Sequence, residues 1–76
     1  SSNILLNQTF DIIFLDPPFQ ETGINDLLEN IVEKKLLNQD GVIILHRHKN
    51  DKIKITNKLN IIDKRFYGVS KIVFCN

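Results

Sequence analysis

The residues best suited to chemistry in this 76-residue sequence are Asp16-Pro17-Pro18-Phe19. Each proline removes a backbone N–H donor and pushes the residue before it into an extended conformation, so Asp16 and Pro17 are both held out of the helical region. What results is a stiff stub with two acceptors, the Asp16 carboxylate and the Pro17 carbonyl, followed by the aromatic plate of Phe19. An exocyclic amine on a nucleobase is a poor nucleophile because its lone pair is delocalised into the ring. Two acceptors on its hydrogens would hold it, favour pyramidalisation and point the lone pair at an electrophile, which is catalysis by positioning and electrostatics. Phe19 would stack on a base that has left its helix or loop, a contact of ~1–3 kcal/mol. The plainer alternative is that the prolines end a strand and Phe19 packs in a core.

The flanking elements set where such a stub would stand. Phe10-Asp11-Ile12-Ile13-Phe14-Leu15 is short, mostly apolar and rich in β-branched and aromatic residues, which predicts a strand over 10–16 buried on both faces, as in a parallel sheet. From Ile24 the period changes. Ile24, Leu27, Leu28, Ile31, Val32, Lys35 and Leu36 recur at i, i+3, i+4 and i+7 with polar residues between them, predicting an amphipathic helix over 24–38 that stops near Asp40-Gly41. Val42-Ile43-Ile44-Leu45 predicts a second buried strand over 42–46. Strand, helix and strand form a right-handed βαβ unit with parallel strands, so Asp16 and His46 share the carboxyl edge, where open α/β sheets bind ligands. Residues 46–60 are polar and basic and fit either a short strand or a turn of helix. Residues 61–75 predict a closing antiparallel hairpin about Gly68-Val69. The fold class expected is α/β with a mixed sheet, parallel strands plus a C-terminal antiparallel hairpin.

Composition bounds the partners. The chain is one domain at most, 42% hydrophobic and 25% charged, the balance of a folded chain and not of a disordered one. Its net charge of +1 conceals an asymmetry: residues 1–45 hold two lysines against seven carboxylates, and residues 46–76 hold eight cations against two. A basic half of this kind suits an anionic partner such as nucleic acid, or is simply a solvated face. Arg47, Lys49, Lys52, Lys54 and Lys58 are its densest stretch and the candidates for phosphate contacts. The single cysteine, Cys75, rules out an internal disulfide framework and fits a reducing, cytoplasmic setting. No apolar run approaches the ~20 residues that span a bilayer, so no membrane partner is expected. His46 and His48, two apart without carboxylate or cysteine ligands near in sequence, do not make a metal set.

With these residues in view, the segment Phe10 to Phe19 resembles motif IV of the amino-methyltransferases that use S-adenosylmethionine, a pattern of Asn, Asp or Ser, then Pro-Pro, then an aromatic residue. Within that group the chain most resembles the bacterial 16S ribosomal RNA guanine-N2 methyltransferases of the RsmD family. The Asp40-Gly41-Val42-Ile43-Ile44-Leu45 strand and the Lys64-Arg65-Phe66-Tyr67-Gly68 hairpin extend the likeness over most of the sequence. The resemblance implies a Rossmann-like sheet of seven strands with an antiparallel last strand, of which this chain holds the fourth to the seventh. It also implies that Asp16 and the Pro17 carbonyl accept hydrogen bonds from the guanine amino group, with Pro18 and Phe19 against the base, in ribosomal RNA or the small ribosomal subunit. The methyl group would pass by direct displacement from the sulfonium, with no metal.

The departure from that family lies in the cofactor motifs. Gly23, Gly41 and Gly68 are scattered and make no Gly-rich turn, so the N-terminal, cofactor-binding half is absent from this segment and the segment alone should be inactive. A DNA adenine-N6 methyltransferase shares motif IV and is an alternative. A Walker-B reading of Asp16 lacks its phosphate-binding loop. A noncatalytic α/β fragment that docks on a partner is the alternative from another class, because the edge left without the first strands invites pairing, self-association included.

Overall fold

Helix and sheet are held together by one apolar layer. A computed structural model describes residues 9–16 and 21–76. Its elements are β1 (Phe10–Leu15), α1 (Glu21–Glu33), β2 (Leu37–His48), β3 (Ile61–Tyr67) and β4 (Ser70–Cys75). Ile24, Leu28 and Ile31, one face of α1 at helical spacing, are buried against Ile43, Leu45, Val73 and Cys75 of the sheet, and Leu59 closes the cluster. The strands stand in the order β1-β2-β4-β3. β1 and β2 are parallel, while β4 runs antiparallel to both β2 and β3. The mixed sheet expected from the order of elements is therefore the one observed.

Helix α1 ends five residues before the predicted position 38, and the cause is backbone geometry. Lys35 has a φ of 54°, the left-handed conformation that usually selects glycine. The Leu36 N–H donates to the Ile31 carbonyl at 3.1 Å and the Lys35 N–H to the Val32 carbonyl at 3.1 Å. These two bonds are a Schellman cap, completed by apolar residues at both of its anchoring positions, Ile31 and Leu36. Because a lysine fills the glycine position, the sequence carries no stop signal there.

Strand β2 is correspondingly longer than the predicted 42–46. It begins at Leu37, and the pairing jumps from Phe10↔Leu37 to Ile12↔Val42, so residues 38–41 form a bulge beside a single residue of β1. Gly41 fits that bulge for want of a side chain: a Cβ there would lie 2.7 Å from Leu37 Cδ1 and 3.0 Å from the Asp11 carbonyl oxygen. Asn38 donates to the Asp11 carboxylate and Asn76 to the Gly41 carbonyl, pinning the bulge from both sides. At the other end of the sheet Gly68, with φ of 56°, takes the first central position of the β3–β4 turn.

The expectation of two-sided burial is corrected. Only the α1 face of the sheet is covered among the described residues. On β1, Ile13 and Leu15 pack on the core while Ile12 and Phe14 remain 64% and 61% exposed. Ile44 and Phe74 are register partners on the same open face and are half-buried. Residues 51–60 are neither strand nor helix; Ile53 and Ile55 pack against the core, and Thr56 and Lys58 reach Glu29 of α1. Among the described residues, no helix is long and apolar enough to cross a membrane.

Candidate active site

The carboxyl ends of β1 and β2 meet because Leu15 and Leu45 are register partners, and the next residue in each chain direction is polar: Asp16 after β1, His46 within β2. His46 Nδ1 lies 3.1 Å from Asp16 Oδ1. The Asp16 side chain is 61% exposed and that of His46 34%, so the pair is open to an incoming group. An ionised carboxylate only accepts, which makes His46 Nδ1–H the donor. Pro17, Pro18 and Phe19, the rest of the predicted stub, lie outside the described residues.

His48 plays a different part. Its Nδ1 accepts from the Asn50 backbone N–H at 3.1 Å, capping the turn that leaves β2. Among the described residues no group of His, Cys, Asp or Glu could hold a metal ion. The β3–β4 tip closes on the same edge, since the Lys49 N–H donates to the Val69 carbonyl at 2.7 Å. Tyr67 and Val69 there are 57% and 61% exposed.

The basic residues divide into two sets. Arg47 alternates to the face opposite His46; its side chain is 11% exposed and its Nη2 lies 3.2 Å from Asp51 Oδ2. Lys58 spans to Glu29 and Glu33 of α1 at 3.7 and 3.4 Å. Lys71 is buried and donates to the Asp51 carbonyl. These three are tied into the fold. Lys49, Lys52 and Lys54 are exposed, as are Lys64 and Arg65 on β3. Arg65, absent from the candidate phosphate contacts, lies with its guanidinium carbon 6.0 Å from the centroid of the Phe74 ring on the open face and pairs with Asp63 at 2.9 Å. Asp63, and then Tyr67, raise its pKa further. On the core side, burial alone pushes the Cys75 thiol up from its ordinary value.

The described glycines do not cradle a phosphate or a nucleoside. Gly23 is inside α1, Gly41 is filled by Leu37, and Gly68 turns the hairpin. Among the described residues no run of consecutive small residues stands between a strand and a helix, the arrangement by which a Gly-rich turn holds a nucleotide cofactor.

Known proteins resemble this chain in sequence and in fold. The chain is 25% identical over 67 residues to the uncharacterized methylase RP545 of Rickettsia prowazekii (strain Madrid E), covering 88% of this chain and 28% of that protein. The structure of a conserved hypothetical protein from Streptococcus pyogenes superposes with a TM-score of 0.76 at 25% identity, over 97% of this chain and 49% of that one. The rRNA methyltransferase aviRa from Streptomyces viridochromogenes gives 0.72 at 17% identity, over 96% of this chain and 32% of that one, a likeness of fold alone. The chain thus spans less than half the length of these proteins, and its mixed sheet is a portion of the Rossmann-like methyltransferase fold. A family model matches residues 2–76, nearly the whole sequence, and on that match the chain belongs to the family described as conserved hypothetical protein 95.

Proposed function

We propose that this segment carries the target-amine side of the active site of a methyltransferase that uses S-adenosylmethionine and modifies the exocyclic N2 of a guanine in small-subunit ribosomal RNA. The observation that carries the reading is Asp16: an exposed carboxylate immediately beyond a parallel strand, on the sheet edge where such folds bind ligands, and followed in sequence by Pro-Pro-Phe. The Rickettsia relative is called a methylase and the Streptomyces neighbour an rRNA methyltransferase, which supports the class and the nucleic-acid partner. In this reading Asp16 accepts one N–H of the amine and the Pro17 carbonyl the other, so that the nitrogen lone pair is held toward the methyl donor. Phe19 stacks on the base. Lys49, with its exposed neighbours Lys52 and Lys54, meets backbone phosphates; Arg47 serves the same end by shaping the segment that bears Lys49. The donor site is supplied by sequence outside these 76 residues, since the described residues hold no cradle for it.

The test is methyl incorporation by the full-length enzyme into ribosomal RNA, with the product nucleoside identified by mass spectrometry. Asp16→Ala is expected to lower turnover by about two orders of magnitude or more while donor affinity stays nearly intact. Unchanged turnover would remove the catalytic role. An N6-methyladenine product from DNA would replace guanine by adenine, which also offers an exocyclic amine.

A further inference from the structure

Asp16 is well placed but poorly confined. At 61% exposure its carboxylate is free to rotate unless something holds it, and the contact the structure gives is His46 Nδ1 on Oδ1 at 3.1 Å. The imidazole is the better packed of the two. It stands on the β2–β4 ladder, opposite Ile72, and is two-thirds buried, whereas the Asp16 side chain is 61% exposed. Its chemical twin two residues on, His48, is occupied with the Asn50 N–H and does not turn toward Asp16.

We propose that His46 is a positioning residue for the transfer: its Nδ1–H anchors Oδ1 of Asp16 and so leaves Oδ2 as the oxygen that accepts the substrate amine. This rests on the reading of Asp16 as the amine acceptor given above. The physical need is clear. An acceptor that must pyramidalise a nitrogen works along one direction, and a misplacement of about 1 Å can lower a rate by roughly 10²-fold. A hydrogen bond to the carboxylate from a largely buried ring on the sheet sets that direction before substrate arrives and so reduces the reorganisation left for the reacting complex. Because His46 acts in this proposal through Asp16 and not on the RNA directly, its loss should be felt in the step and not in binding.

The experiment compares four variants of the full-length enzyme by steady-state methylation of RNA, with thermal melting and donor affinity as checks on folding. His46→Ala and His46→Phe, which lack the donor with and without loss of ring volume, should lower kcat by about 10- to 100-fold with KM for RNA within about twofold. His46→Asn carries an amide N–H at the same branch position as Nδ1 and should recover kcat to within several-fold of the parent. Asp16→Ala serves as reference. If His46→Ala fails to fold, His46→Phe against His46→Asn decides alone. Full kcat in His46→Phe alongside a collapsed Asp16→Ala overturns the positioning role and leaves the function standing. Failure of His46→Asn to recover, in a protein that melts normally and binds donor, overturns the hydrogen bond as the cause. Full turnover in Asp16→Ala overturns both.

Discussion

His46 and Asp16 stand 3.1 Å apart because Leu15 and Leu45, the residues just before them, are register partners in adjacent parallel strands. The contact is thus written into strand pairing and needs no loop to make it. It also predicts how conservative changes at Asp16 should rank. Asparagine keeps an acceptor oxygen at nearly the same point and gives up the charge, and the motif this segment resembles admits Asn at that position. Asp16→Asn should therefore retain at least about tenfold more single-turnover activity than Asp16→Ala. Equal loss in both would show that the negative charge, and not acceptor geometry, carries the step.

What was legible in the sequence was whatever periodicity and strand order control. The βαβ unit, the hairpin about Gly68 and the placing of Asp16 beside His46 on one edge follow from apolar spacing and handedness. Two features were not legible. The end of α1 depends on a lysine in a left-handed conformation, a choice no residue type announces. The apolar runs Phe10–Leu15 and Val42–Leu45 imply cover on both faces, and the described residues cover one; composition records what a strand is built to contact, not which segment supplies the contact.

For the basic residues, geometry separates anchors from free charges. Lys58 is held by two glutamates of α1, whereas Lys49, Lys52 and Lys54 are exposed. Replacing Lys49, Lys52 and Lys54 together with Ala should weaken RNA binding by the full-length enzyme and reduce the slope of log affinity against log salt by about three. Lys58→Ala should leave that slope unchanged and lower the melting temperature slightly. A salt slope untouched by the triple change would move the phosphate contacts elsewhere.

Lys35 offers a test of the helix cap. A left-handed non-glycine residue costs roughly 1–2 kcal/mol, partly offset in glycine by the larger entropy lost on folding. Lys35→Gly should stabilise the chain by up to about 1 kcal/mol, or roughly 4–8 °C in melting temperature for a domain of this size, and Lys35→Val should destabilise it. A loss of stability in the glycine variant would contradict the capping geometry.

Cys75 is fully buried between β2 and β3, and burial raises its thiol pKa above the ordinary 9.0. The unfolded thiol ionises first as pH rises, so the stability linked to the neutral buried form is present below about pH 9 and is lost as pH climbs through the folded value. Urea midpoints measured at pH 7.5, 9 and 10 should fall over that upper window, less so in Cys75→Val. Alkylation of the folded chain at pH 8 should be far slower than of the urea-unfolded chain. Rapid modification of the native chain would place the thiol at the surface.

The edge of β1 and the open face lead to the last expectation. Among the described residues β1 forms one edge of the sheet and β3 the other, and on β1 Ile12 and Phe14 are more than half exposed beside the half-buried Ile44 and Phe74. An unpaired parallel edge next to contiguous apolar side chains is a template for another strand. We expect the 76-residue chain by itself to associate reversibly, with sedimentation giving a mass that grows between about 10 and 200 μM. Ile12→Lys with Phe14→Lys should return it to monomer, because charges on an exposed strand oppose edge pairing without touching Ile13 or Leu15 on the core side. A monomer across that range in the unmodified chain would sink the association, and a dimer that survives both lysines would put the contact on another surface.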